Sequence, residues 1–203
     1  MAVRFVEGPI TDFVKTCVDV PRFLACCREC PNYNKRWSCP PYDFSVESVW
    51  NQYADILLYE EKIIVKAELR EKYYSQEEIN ELSRALLAPV KRQMTDTLLT
   101  MEKEYPGSRA LFAGTCELCE SCDKEQGIPC RHPELMRYSI EALGGNVAKA
   151  VQIYFDDTIL WAEKGQLPEY YILLGALLKE KICMSITKLI RVCFNDNRSI
   201  IQR

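Results

Sequence analysis

Two groups of cysteines constrain this chain more than any other feature of its sequence. Cys26, Cys27, Cys30 and Cys39 fall in one short stretch, and Cys116, Cys119, Cys122 and Cys130 in another. The chain has 11 cysteines among 203 residues. An odd number does not suit a complete set of internal disulfides, and a chain of this length can bury a core without them. The thiols are therefore expected to be reduced, in a cytoplasm, and free to act as metal ligands. Cys17, Cys183 and Cys193 stand apart from the two groups and read as small buried apolar residues.

The second group has the spacing C-x2-C-x2-C-x7-C, in Gly114-Thr-Cys-Glu-Leu-Cys-Glu-Ser-Cys122 followed by Cys130-Arg-His-Pro133. Three cysteines at steps of three wrap one compact object, and a fourth from further along closes the set. A cubic [4Fe–4S] cluster is such an object, with one iron for each thiolate. Zinc more often takes two C-x2-C pairs separated by a longer spacer, and stays as the alternative. Arg131 could offset cluster charge or be a solvated surface residue. Glu117, Glu120 and Asp123 would lower a cluster's potential, or are a solvated loop face. His132 is the single histidine, and a structural place ahead of a helix started by Pro133 is preferred over metal ligation.

The first group reads C-x2-C-x8-C-P-P, from Cys27 through Cys30 to Cys39-Pro40-Pro41. Neighbouring residues point in different directions, so Cys26 and Cys27 are poorly placed to share a cluster. The fourth ligand is open: Cys26, Cys17, another group or an outside ligand. An open iron would admit substrate, by the logic of an open catalytic metal position. Tyr33, Trp37 and Tyr42 could shield a cluster, or are ordinary packing. Lys35-Arg36-Trp37 reads as a solvated turn rather than an RNA contact.

Both motifs resemble those of a family of predicted metal-binding proteins, domain of unknown function 2284. The similarity runs from about residue 20 to 178 and rests on Cys27 through Tyr42 and on Gly114 through Gly144. It implies a cytoplasmic metal-binding protein, with Cys27, Cys30, Cys39, Cys116, Cys119, Cys122 and Cys130 as the matching ligands and iron–sulfur as the expected cofactor. It implies no particular reaction. Gly145-Asn146 departs from the Ile-Asp expected there, and Cys26 is an additional neighbour.

The rest of the chain reads as one α+β domain over residues 1–203: a small mixed sheet, flanking helices and two cysteine-rich loops, with 182–203 as a C-terminal extension. Pro21 suits the first turn of a short helix. Ala54–Leu69 is rich in β-branched and apolar residues and reads as a strand. Ser75-Gln-Glu-Glu78 is a capping box, and apolar residues from Ile79 to Met101 follow at steps of three or four, with Pro89 as the place for a bend. A short strand is expected at Arg109–Gly114, a short helix at Pro133–Leu143, and a helix capped by Asn146. Thr158–Trp161 and Tyr170–Leu177 are expected as a closing hairpin.

Several function classes are disfavoured. A net charge of −3 argues against nucleic-acid binding through bulk positive charge. Lys188, Arg191, Arg198 and Arg203 make a mildly basic tail whose default reading is a solvated face. No P-loop, G-x-G-x-x-G or nucleophile elbow is present. No apolar run reaches the ~18 residues that mark a membrane span, and the start lacks the apolar core of a secretory signal. The leading expectation is a carrier of up to two [4Fe–4S] clusters that passes electrons to a redox partner protein. The alternatives are an enzyme using an open iron of the three-cysteine site and a zinc-stabilised binding module.

Overall fold

The computed structural model describes residues 2–180. The extension 182–203, with Cys183 and Cys193, lies outside the described residues. Strand β1 (Ala2–Pro9) leads into helix α1 (Ile10–Cys17), which buries Ile10, Phe13 and Cys17, a stripe at helical spacing. Helix α2 (Val20–Arg28) starts where Asp19 accepts a bond from the Arg22 N–H at 3.2 Å, with Pro21 in its first turn as expected. Helix α3 (Val46–Trp50) follows the first cysteine loop, and β2 (Tyr53–Ile64) forms most of the strand expected over Ala54–Leu69, whose last residues turn instead into a short helix. Short α4 (Ala67–Arg70) precedes α5 (Gln76–Glu104), whose Ser75–Glu78 capping box forms in both directions. Helix α5 runs through Pro89. Strand β3 (Arg109–Leu111) then enters the second cysteine loop, and α6 (Val147–Phe155), capped by Asn146, and β4 (Tyr170–Glu180) complete the fold.

The sheet has the order β1-β2-β4-β3, and each ladder is antiparallel. The α+β class is as expected, but the sheet is antiparallel rather than mixed. Since β2 and β3 both run against β4, they run in the same direction. The β2–α5–β3 passage is thus a crossover between strands of the same direction, but β4 is inserted between them, so no parallel ladder forms.

Both faces of the sheet are covered. Ile56 and Leu58 of β2 and Leu174, Ala176 and Leu178 of β4 pack with α1 and α6. On the opposite face Tyr59, Ile63, Leu173 and Leu177 meet Val90, Met94 and Leu98 of α5. Gly175 allows that close approach: a Cβ there would sit 2.7 Å from Leu98 Cδ1. Burial on both sides explains why β4 reads as an unbroken apolar run.

Two sequence-based elements are not formed. Residues 133–143 are turns ending in a 3-10 turn at Glu141–Leu143, not a helix. Arg137 and Ser139 are buried there, and Arg137 Nε donates to Glu102 Oε2 at 2.7 Å, so tertiary bonds override helix propensity. Thr158–Trp161 pairs with no strand among the described residues, and the turn at Lys164-Gly165 is closed by a single Glu163–Gln166 bridge.

Candidate metal centre

The first cysteine loop hangs between α2 and α3. Helix α2 carries Cys26 and Cys27 and is held at its start by the Asp19 N–H donating to the Gly144 carbonyl at 2.9 Å. Tyr42, Phe44 and Tyr138 pack ring on ring at centroid distances of 4.8–5.5 Å and hold the loop's far end. The second loop leaves the sheet edge after β3, where the Phe112 N–H donates to the Tyr138 carbonyl at 2.8 Å. Its return is pinned by the Arg137–Glu102 ion pair, while Glu102 also accepts from the Ala110 N–H at 2.6 Å.

Within the second loop, Cys116, Cys119, Cys122 and Cys130 line one small cavity, together with Arg36, Trp37, Ser38 and His132. No carboxylate lines it. Burial raises the Cys116 thiol above its ordinary value; the Leu118 backbone opposes this, and Cys130, Cys119 and Cys122 raise it further. Arg131 Nε pairs with Asp123 at 2.8 Å and closes the seven-residue loop before Cys130. Arg131 therefore spends its charge on Asp123 rather than facing the thiols alone. His132 reaches the cavity wall although no helix begins at Pro133.

In the first loop, Cys27 is pushed up to about 11, first by burial and then by the proximity of Cys30, Cys39, Glu141 and Cys26. Cys27, Cys30 and Cys39 thus share one neighbourhood, with Cys26 at its exposed edge. Cys17 is placed elsewhere: it is 2% exposed, in the core with Phe13 and Trp50. Cys30 is exposed, whereas the four thiols of the second loop are all partly buried.

The two loops interlock. Ser38, 1% exposed, accepts the Cys116 N–H at 3.1 Å and lies 3.3 Å from Thr115 Oγ1. Thr115 Oγ1 is 3.5 Å from Cys39 Sγ. Arg36 donates to the Cys116 carbonyl at 3.2 Å, so the first loop satisfies both backbone groups of a second-loop cysteine. Trp37 Nε1 donates to the Ile128 carbonyl at 3.1 Å, and Lys124 Nζ to the Cys39 carbonyl at 3.0 Å. Burial lowers the Lys124 pKa, while Cys39 and Cys122, one from each loop, raise it. Arg36 and Trp37 therefore form a clasp, and only Lys35 of this turn is exposed as expected. Sequence reasoning missed Ser38, Thr115 and Lys124, and only their adjacency to cysteines could have marked them.

The donor chemistry is that of a thiolate-bound metal centre. Cys27 and Cys116, one in each loop, are raised in pKa by burial and by neighbouring thiols, and a cationic centre would remove that conflict. Among the described residues, however, no three His, Cys, Asp or Glu side chains are grouped so as to hold a single metal ion.

The sequence profile for predicted metal-binding protein DUF2284 matches residues 14–174, spanning both loops and most of the sheet. The chain belongs to this family. No curated protein and no solved structure matches it. The family is one of predicted metal-binding proteins, and the cysteine-rich loops are the feature of this chain consistent with that description. No helix among the described residues is long and apolar enough to cross a membrane.

Proposed function

We propose that this protein is a cytoplasmic iron–sulfur protein holding up to two [4Fe–4S] clusters and exchanging electrons with a partner protein. The observation that carries the reading is the second loop's cavity, walled by four thiols and no carboxylate. Thiols that surround a space suit a cluster better than zinc, which needs four sulfurs near 2.3 Å of one ion. Cys116, Cys119, Cys122 and Cys130 would hold one cluster, and Cys27, Cys30 and Cys39 the other. A bound cluster supplies one-electron exchange without a proton. The chain's own residues do the rest. Arg36 and Ser38 fix the Cys116 backbone, Trp37 and Met136 restrict water at the second site, and Lys124 places positive charge between the loops. The contact from Cys39 through Thr115 to Cys116 makes a short path between the sites.

The exposure of Cys30 and Cys26 favours a second reading, in which the first site keeps one iron open to substrate. Anaerobic purification followed by iron, sulfide and zinc analysis with EPR tests the main reading. Iron with acid-labile sulfide is expected. Stoichiometric zinc without sulfide, in protein made with ample iron, overturns it.

A further inference from the structure

A cavity of about 580 Å³ opens between α5, β4 and the start of α6, outside the cysteine loops. Its walls are mainly apolar, including Ile79, Leu87 and Leu173, and Trp161 stands exposed at its rim. Gly114, two residues before Cys116, also belongs to the wall, so one end of the cavity lies beside the second cysteine loop.

Ser83, Leu87 and Lys91 stand four residues apart and form one stripe of α5 along this cavity. At 1.5 Å of rise per residue, the stripe sets its two polar ends about 12 Å apart. At one end the Ser83 and Tyr171 hydroxyls share a hydrogen bond of 2.7 Å, which uses one hydroxyl hydrogen and leaves the other free to donate. At the other end Lys91 Nζ lies 3.6 Å from where a Cβ on Gly114 would stand, so the ammonium itself is at the cavity wall.

Both ends therefore offer donors, and the Lys91 end adds charge. A lysine ammonium has three donors. Glu117 takes one of them at 3.0 Å, and no other acceptor is bonded to it among the described residues. Glu117 is about half exposed, and an ion pair of that kind is weak and readily exchanged. Lys91 is the one Lys or Arg in the wall, with 24% of its side chain exposed. Glu141 is the one Asp or Glu in the wall, and its Oε2 is sealed from solvent. The charge that meets an incoming molecule is thus positive. An apolar pocket with a few placed polar groups is the usual form of a small-molecule site.

We propose that this cavity binds a small organic acid with an apolar body, its carboxylate accepting from Lys91 Nζ beside Gly114 and its body lying along Leu87 and Leu173. The proposal goes beyond electron transfer: it gives the protein a small-molecule ligand next to the second cysteine loop, whatever metal that loop holds.

The test is calorimetric titration of the full-length, anaerobically purified chain with 4-phenylbutyrate and, separately, 4-phenylbutylamine, with iron and sulfide measured on the same sample. The acid should bind, and the amine should bind at least tenfold more weakly. Lys91→Met keeps an unbranched apolar stem and removes the charge. It should weaken the acid about tenfold, the loss expected for a charge-assisted hydrogen bond, and abolish the preference between the two probes. Glu117→Gln, at a half-exposed position, frees Lys91 from its partner and should strengthen the acid. Trp161→Ala should weaken both probes. No acid binding, a preference for the amine, unchanged acid affinity in Lys91→Met or weaker acid binding in Glu117→Gln overturns the proposal. Acid binding by a sample that lacks iron would leave the site standing and remove the cluster reading instead.

Discussion

The two cysteine loops are built on opposite plans. The second is anchored by the sheet edge and a buried ion pair: it leaves β3, returns through Arg137–Glu102, and places its four cysteines around one cavity. The first rests on a short helix and stacked rings and leaves Cys26 and Cys30 exposed. A loop that closes its donor set inside suits storage and transfer of electrons. A loop that leaves a thiol edge exposed suits contact with something outside. The comparison teaches that two similar cysteine spacings on one chain can differ in access, and that access is decided by anchors rather than by ligands.

The largest effect expected from breaking this contrast is that of Cys119→Ala. It should remove the iron of the second site and lower the unfolding midpoint by about 10 °C, since metal bound only by the folded chain contributes directly to folding. Cys17→Ala should leave metal content unchanged, because Cys17 packs with Phe13 and Trp50. Equal iron loss in both variants would erase the division between ligand and core cysteines.

Next comes Ser38→Ala, which removes the hydroxyl's bond between the loops while keeping every cysteine and the Arg36, Trp37 and Lys124 contacts. The Cys116 N–H loses its acceptor, at a cost of ~1–3 kcal/mol. The EPR signal of the second site should shift although the substitution lies in the first loop. An unchanged signal would mean that the loops act independently.

Alkaline titration of the metal-free protein sharpens the comparison further. Cys27 has a folded-state pKa of about 11 against an ordinary 9.0. A thiol raised on folding contributes its full stabilisation below pH 9 and loses it as pH climbs toward 11. Apo protein followed by circular dichroism should therefore lose stability across that window, and Cys27→Ala should flatten the decline. Cluster-loaded protein should show no such limb, its ligand thiols being already deprotonated.

A smaller effect is expected from added cyanide. In Cys119→Ala protein, where the first site alone remains, cyanide should alter the EPR spectrum. An unaltered spectrum, with the cluster lost in Cys26→Ala, would show a closed four-cysteine set and end the reading of an open iron. Smallest of all is Arg131→Ala. Arg131 is about half exposed, and its pair with Asp123 is worth ~1 kcal/mol or less. The unfolding midpoint should move by no more than about 3 °C.

Much of this could be seen in the residues alone, and the misses have physical causes. The capping box at Ser75 and the long apolar stripe of α5 are local signals, and both formed as expected. Strand β1 was not foreseen, because an edge strand with Val3 and Phe5 about half exposed lacks the polar alternation that marks a solvated face. The helix expected at Pro133–Leu143 lost to Arg137, whose partner Glu102 is far away in sequence. The cysteine groups are written in spacing, but their clasp depends on Ser38, Thr115 and Lys124 meeting across some eighty residues, which no short-range pattern records.

The insertion of β4 between β2 and β3 sets the order in which this molecule can be finished. Every pair it makes with β2 joins residues more than 100 positions apart, a long-range closure of the kind that folds late. All seven motif cysteines leave the ribosome before Tyr170 does. Yet Cys116 and Leu118 pack against a core that includes Leu173 and Leu177 of β4. A nascent chain therefore displays its thiols before it has the floor beneath them, and a finished second loop has to wait until β4 has been made and has paired.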